Sequence, residues 1–176
     1  MSIYKDLQDN IYNASRAFLN KMGFTTNQLI WQYGNGPEPK KDYCAMYIID
    51  IRQIGKANES TLTSEVVEGV EENQQIHYTT THELIVQYTF VGESSPIMAA
   101  QWQHEFKNNR VVIDQFYENN LAVVGMTSVK PISIKRDTVW VDNTTIDVRY
   151  RYSCTSSQEV NWVEYIVLND VQYGPL

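Results

Sequence analysis

Histidine and cysteine are scarce in this chain, with three and two residues among 176. The histidines are His77, His82 and His104. His77 and His82 are five apart, so on one continuous strand they face opposite sides. His104-Glu105 opens like a zinc-protease helix motif, but position 108 is Asn, where the motif needs its second histidine. Cys44 and Cys154 have no ligand-like spacing. Neither a metal nor any other cofactor is expected. A disulfide framework is not expected either, since it takes more cysteines and a secretory context. Each cysteine sits in an apolar, strand-like run and reads as a buried thiol. Cations are also in short supply: 14 Lys and Arg against 21 Asp and Glu, a net charge of −7. That excludes simple electrostatic attachment to nucleic acid or to an anionic membrane, both of which need a basic surface. No run approaches the ~18 apolar residues of a membrane-spanning helix. The opening residues, Met1 to Asp6, lack a basic region followed by an apolar one. The expectation is a protein made in a reducing cytoplasm.

Signatures of catalysis are equally thin. There is no Gly-rich phosphate loop, no dinucleotide fingerprint and no pair of carboxylates in an apolar setting. Gly92-Glu93-Ser94-Ser95-Pro96 lies where a strand turns into a helix, the place of a nucleophile elbow. That elbow needs Gly at its fifth position, and here Pro96 stands there. Helix capping by Ser95, with Pro96 at the first helical position, accounts for both residues. Twelve tyrosines and four tryptophans are enough for base stacking, but many alternate with polar residues on strands and no basic groove accompanies them.

What the chain does have is two clear periodicities. From His82 the pattern alternates: Leu84, Val86, Tyr88 and Phe90 share one face, and Glu83, Gln87 and Thr89 the other, which marks a half-buried strand. After the turn, Met98, Trp102 and Phe106 recur every fourth residue, with Ile97 beside them, as the apolar stripe of a helix. Residues 2–23 form another helix. Its stripe is Ile3, Leu7, Ile11, Ala14, Phe18 and Met22, Ser2 can cap it, and Gly23 ends it. Leu29 to Trp31 suits a short strand. Tyr43 to Arg52 is apolar on both faces, as a central strand is, and is expected to end near Gly55. Val112, Ile113, Phe116 and Tyr117 imply a further short helix, broken from the previous one at Asn108-Asn109. Met126 to Ile134 is strand-like but interrupted by Pro131.

Two stretches bear on interactions. Residues 57–81 carry Glu59, Glu65, Glu68, Glu71 and Glu72 and no Lys or Arg, and turn at Glu71-Glu72-Asn73. This extended β-hairpin has too little apolar content to fold firmly alone. It is expected to reach a neighbouring subunit or line an acidic surface. Near the end, Ile146, Val148, Tyr150, Tyr152 and Cys154 face one way, and Asp147 and Arg149 the other. Asp147 and Arg149 can each pair with a charge on a neighbouring strand. A turn is expected at Thr155 to Gln158, with a returning strand from Val160 to Leu168. The whole implies one α+β domain spanning 1–176: a mixed, mainly antiparallel sheet, an N-terminal and a central helix packed on one face, and the hairpin. A chain of this length buries roughly 70% of its unfolded surface.

Several of these pieces together resemble the small tail-terminator (neck) proteins of long-tailed bacteriophages. They are the loop Gly36-Pro37-Glu38-Pro39 leading to Tyr43; the strand, Gly92-Glu93-Ser94 turn and Ala-containing helix from Tyr88 to Phe106; and the Asp147, Arg149 strand followed by Trp162-Val163-Glu164. The resemblance runs from Leu29 to Leu168. The chain departs from the pattern at Pro131 and in the length of the acidic hairpin.

The resemblance implies structural work and no catalytic residue. Such proteins form a ring, usually a homo-hexamer, at the head-proximal end of the tail tube. The ring stops tube growth and presents the tail to the head-completion (neck) protein. Genomic DNA passes through its lumen without specific binding, which an acidic lining favours. The implied location is the virion, with no membrane partner. Glu65, Glu68, Glu71, Glu72, Asp147 and Arg149 are then the candidate interface residues. Other readings are a head-completion or stopper ring, a small cytoplasmic hydrolase using Ser94, and a monomeric ligand-binding module.

Overall fold

Helix α1, Ile3–Lys21, has Leu7, Ile11, Ala14 and Phe18 on its buried side, as their spacing requires. It ends in a double hydrogen-bonded turn: Phe24 N donates to Leu19 O and Gly23 N to Asn20 O. Gly23 takes the positive φ of 91° that this ending needs and that a residue with a Cβ resists. The computed structural model describes residues 3–34, 37–39, 42–62, 74–136, 139–160, 166–168 and 171–173.

Strand β1, Leu29–Trp31, pairs in parallel with β2, Tyr43–Leu62. Next in the sheet are β3, Gln74–Val91, then β6, Val139–Val160, then β4, Ala122–Met126. Strand β5, Lys130–Arg136, pairs antiparallel with β6 further along, beside Val139 to Thr145. The six-stranded sheet is mixed and mostly antiparallel, and with the helices gives the expected α+β class. A separate two-stranded sheet joins β7, Ile166–Leu168, to β8, Val171–Tyr173.

Contacts divide the chain into two compact units, Met1–Ile54 with Thr81–Ser153, and Gly55–Thr80 with Cys154–Leu176. In the first, helix α2, Ser95–Asn108, and helix α3, Arg110–Glu118, join α1 on one face of the sheet. Leu84, Val86, Tyr88, Phe90, Ile146, Val148 and Tyr150 are fully buried beneath them. Trp102 is the centre of this core: its ring lies 4.3 Å from Phe18, 4.7 Å from Tyr88 and 5.5 Å from Phe106. Within it a chain of hydroxyls is sealed from water, Ser15 Oγ to Tyr88 Oη at 2.9 Å and Tyr88 Oη to Tyr150 Oη at 2.8 Å. In the second unit Thr79 and Thr155 are joined through their hydroxyls at 3.1 Å.

Several expectations change. β2 does not end near Gly55 but continues through it, with Gly55 at a φ of 72°. The expected turn at Thr155 to Gln158 is strand, since β6 runs on through it to Val160. Pro131 lies inside β5, opposite Thr144. Among the described residues β5 pairs with β6 alone, so Pro131 stands in an edge strand, where a sheet tolerates proline. Ser95 is not the cap of α2. Ser94 occupies that position without a side-chain bond, while Ser95 is already helical and buried. The Ser95 hydroxyl donates to Asp142 O at 3.1 Å and is hydrogen-bonded with Thr144, tying α2 to β6. Ile97 is 72% exposed and not part of the stripe. The break between α2 and α3 falls at Asn109, whose side chain accepts from Val111 N and caps α3. Glu65, Glu68, Glu71, Glu72 and their turn, and Trp162-Val163-Glu164, lie outside the described residues.

Candidate functional site

Alternation along β3 and β6 sends one set of side chains under the helices and the other to the opposite face. On that face β6 places Thr145, Asp147, Arg149 and Arg151, and β3 places Glu83, Gln87 and Thr89. Glu83 is 5% exposed, an unusual burial for a carboxylate. Arg52 of β2 compensates it, with Nη2 2.6 Å from Glu83 Oε1, and Arg149 Nε approaches the same oxygen at 3.9 Å. The Arg52 hydrogen bond holds the Glu83 carboxyl below the ordinary carboxylate value. Burial opposes this, and the charges of Arg52, Arg149 and Arg151 add to it. Asp147 accepts from Gln87 Nε2 at 3.0 Å and lies 3.7 Å from Lys130 Nζ.

Beyond Gln87 and Thr145 the same face hollows into a groove of about 590 Å³ that spans β1, β2, β3, β6 and β5 and is also lined by Tyr12 of α1 and by Glu38. Its floor is the small buried cluster Tyr43, Ala45 and Val91, with Ile30 and Val141 packed against it. Ile132 and Ile134 of β5 form one wall. Asn143 also lines the groove. It is 4% exposed, and its Oδ1 has no hydrogen-bond partner among the described residues.

Asp147 and Arg149, expected to pair with charges on neighbouring strands, do so with Lys130 and Glu83. Sequence reasoning missed Glu83 and Arg52 as a pair and missed Asn143. The signal for the first was a carboxylate in an apolar alternating strand, next to another strand that turns polar at Arg52. Asn143 carried no signal. Ser94 is exposed at the start of α2, and the turn around it is built by the backbone bond from Ser95 N to Gly92 O. Gly92 itself has a φ of 123° and faces the side chain of Asp42 where a Cβ would stand. Cys44 and Cys154 are free thiols, the first buried and the second half-buried. Among the described residues no cluster of His, Cys, Asp or Glu could hold a metal ion, and no helix is long and apolar enough to cross a membrane.

The arrangement is a surface with cations along it, one buried carboxylate neutralised within the subunit, and an apolar hollow beside them. Comparison with curated proteins finds no match to the chain. The family model of the phage neck terminator protein matches residues 7–174, which takes in both helical and sheet elements of the site. The chain therefore belongs to the phage neck terminator protein family.

Proposed function

We propose that this protein is a structural component of the virion that assembles as a ring at the head-proximal end of the tail tube. The ring ends tube growth and joins the tail to the head-completion protein, and genomic DNA passes through its lumen. The family assignment supports the neck location. The observation that carries the ring is the separation of charge on one chain. The sheet face opposite the helices bears Arg52, Lys130, Arg149 and Arg151 against Glu83 and Asp147, while the chain as a whole has a net charge of −7. A closed ring of identical copies needs two different complementary surfaces on each subunit. The acidic stretch with Glu65, Glu68, Glu71 and Glu72 supplies the opposite sign for the half-exposed Arg149. Asp147, engaged with Lys130 and Gln87, holds that face in register. A hexamer is the copy number the reading favours.

The test is mass and length together. Light scattering on the purified chain should give a multiple of 20.4 kDa. Tubes polymerised from the tail tube protein should stop growing when the chain is added, with a ring at one end in electron micrographs. Removing residues 64–74 should leave melting within a few degrees of the parent and abolish capping. A strictly monomeric chain with no effect on tube length would end this reading.

A further inference from the structure

β2 is long and its outer neighbour is short. β1 reaches β2 at Cys44, Ala45 and Met46, and Gln32 N closes that ladder on Met46 O at 2.8 Å. From Tyr47 on, no strand among the described residues pairs with that side of β2. Met46 O points to that side, so alternation turns the backbone N–H and C=O of Ile48, Asp50 and Arg52 the same way. The stretch also shows apolar surface. Tyr47 is 39% and Ile49 46% exposed, and Tyr33 packs edge-on against Tyr47 at 5.1 Å. An open edge is a template for a further strand unless it is guarded. At the other end of the sheet β5 is guarded by Lys130 and Pro131, and β4 is short and bulged at Val124. Tyr47 to Arg52 holds neither proline nor lysine.

Another piece of the chain needs what this edge offers. β7 and β8, Ile-Val-Leu and Val-Gln-Tyr, form a sheet of two strands that shares no pairing with the six-stranded sheet. Two strands alone are marginally stable in water, and a third makes such a sheet hold. We propose that the β7–β8 hairpin of a second copy of this chain adds to the open edge of β2 between Tyr47 and Arg52. This deepens the ring reading and rests on it. The fit is one of length, chemistry and symmetry. Tyr47 to Arg52 spans about 20 Å, which leaves room for a strand of three residues. Main-chain bonds to Ile48, Asp50 and Arg52 supply the attachment, as in other strand additions. Neither β7 nor β8 carries a charge, so nothing in them opposes Asp50, and Arg52 keeps its bond to Glu83. Edge and hairpin are unlike surfaces on one chain, so their contact between copies runs head to tail, the kind that closes into a ring.

The experiment uses the full chain with Asp50→Pro to close the edge and Val167→Pro to break the hairpin. At position 50 the lost N–H points away from the sheet, where proline is tolerated, so thermal melts should match the parent. Each variant alone should be a 20.4 kDa monomer by light scattering, whereas an equimolar mixture should give a dimer and nothing larger. The Asp50→Pro copy still offers its hairpin, and the Val167→Pro copy still offers its edge. Amide exchange on the unmodified chain reads the same contact without a substitution. On assembly, exchange at residues 47–52 and 166–173 should slow together, by about tenfold or more relative to the diluted chain. Variants that assemble like the parent overturn the inference and leave the ring standing. Monomeric variants that fail to complement each other, or slowing at one stretch without the other, separate edge from hairpin and overturn it too. An Asp50→Pro monomer beside a Val167→Pro variant that assembles normally gives the edge to another strand. A parent chain that is itself monomeric at every concentration ends the ring reading and this one with it.

Discussion

Glu83 is buried and Arg52 is not: 6% of one side chain and 64% of the other is exposed, with their charged atoms 2.6 Å apart. The carboxylate cannot reach water freely, so its ionised form depends on the guanidinium. The Arg52 hydrogen bond is the largest cause of its lowered pKa. A lowered folded-state pKa means that the unfolded chain binds the proton first as pH falls. The stabilisation is then complete above the ordinary value of 4.5 and disappears as pH drops through the folded value. Glu83→Gln should flatten the acid side of a plot of melting temperature against pH. Arg52→Gln should raise the Glu83 pKa in a carboxyl NMR titration by more than Arg149→Gln does, because Arg149 stands off at 3.9 Å. Equal effects of the two would mean that the charge of the face, and not the hydrogen bond, sets the titration.

Ser94 and Ser95 are adjacent but should respond very differently to loss of their hydroxyls. Ser95→Ala removes the donor to Asp142 O in a buried setting and should cost about 1–3 kcal/mol in urea unfolding. Ser94→Ala, exposed and without a capping bond, should change stability by about 0.5 kcal/mol or less. The same pair bears on the hydrolase alternative. An ester-hydrolysing activity that vanished with Ser94→Ala at unchanged stability would put a nucleophile at this turn.

The fold was legible wherever the apolar period was strong. Leu84, Val86, Tyr88 and Phe90 declared their strand, and Leu7 to Phe18 their helix, because core packing requires those periods. Strand ends were less legible. Gly55 and the Thr155-Ser156-Ser157-Gln158 run carry turn chemistry, yet β2 and β6 pass straight through them. Local preference there is overridden by the ladder bonds of a neighbouring strand, which no local window contains. Ser95 shows the same limit: its type suits a cap, but its burial against Thr144 comes from a strand 47 positions on from the helix start, where Asp142 O accepts its bond. Of the candidate site, the partners of Asp147 and Arg149 were anticipated in kind. The groove was not, since it exists only where β1 and β5 come to face the same strands.

Trp102 contacts Phe18, Tyr88, Phe90 and Phe106 and is completely buried. Trp102→Ala should cost about 3–5 kcal/mol, since neither helix nor sheet can collapse into so large a void. The indole Nε1 has no hydrogen-bond partner among the described residues. Trp102→Phe therefore gives up volume but also removes a buried unsatisfied donor, and should cost clearly less than the alanine variant. Denaturant unfolding followed by far-ultraviolet circular dichroism measures both. If phenylalanine were as damaging as alanine, the Nε1 donor would have to be satisfied in solution.

Tyr88 is the middle of the buried hydroxyl chain, bonded on one side to Ser15 and on the other to Tyr150. Tyr88→Phe breaks both bonds and strands two buried polar groups, so it should cost about 1–3 kcal/mol. Tyr150→Phe breaks one bond and leaves Tyr88 still joined to Ser15, so its cost should be smaller, about 0.5–1.5 kcal/mol. Burial is the main cause that raises both phenols above their ordinary value of 10, because a phenolate would have no water around it. In the unfolded chain the same groups lose their protons near that value. Above it the folded state therefore holds protons that the unfolded state has released, and stability falls as pH rises. The parent should lose melting temperature progressively above pH 10, and Tyr88→Phe should lose less over the same range. The measurement is a series of thermal melts from pH 8 to 11, paired with ultraviolet titration of the phenols. Parallel loss in parent and variant would show that the alkaline slope does not come from the Tyr88 phenol, and that the Ser15–Tyr88–Tyr150 chain contributes packing alone.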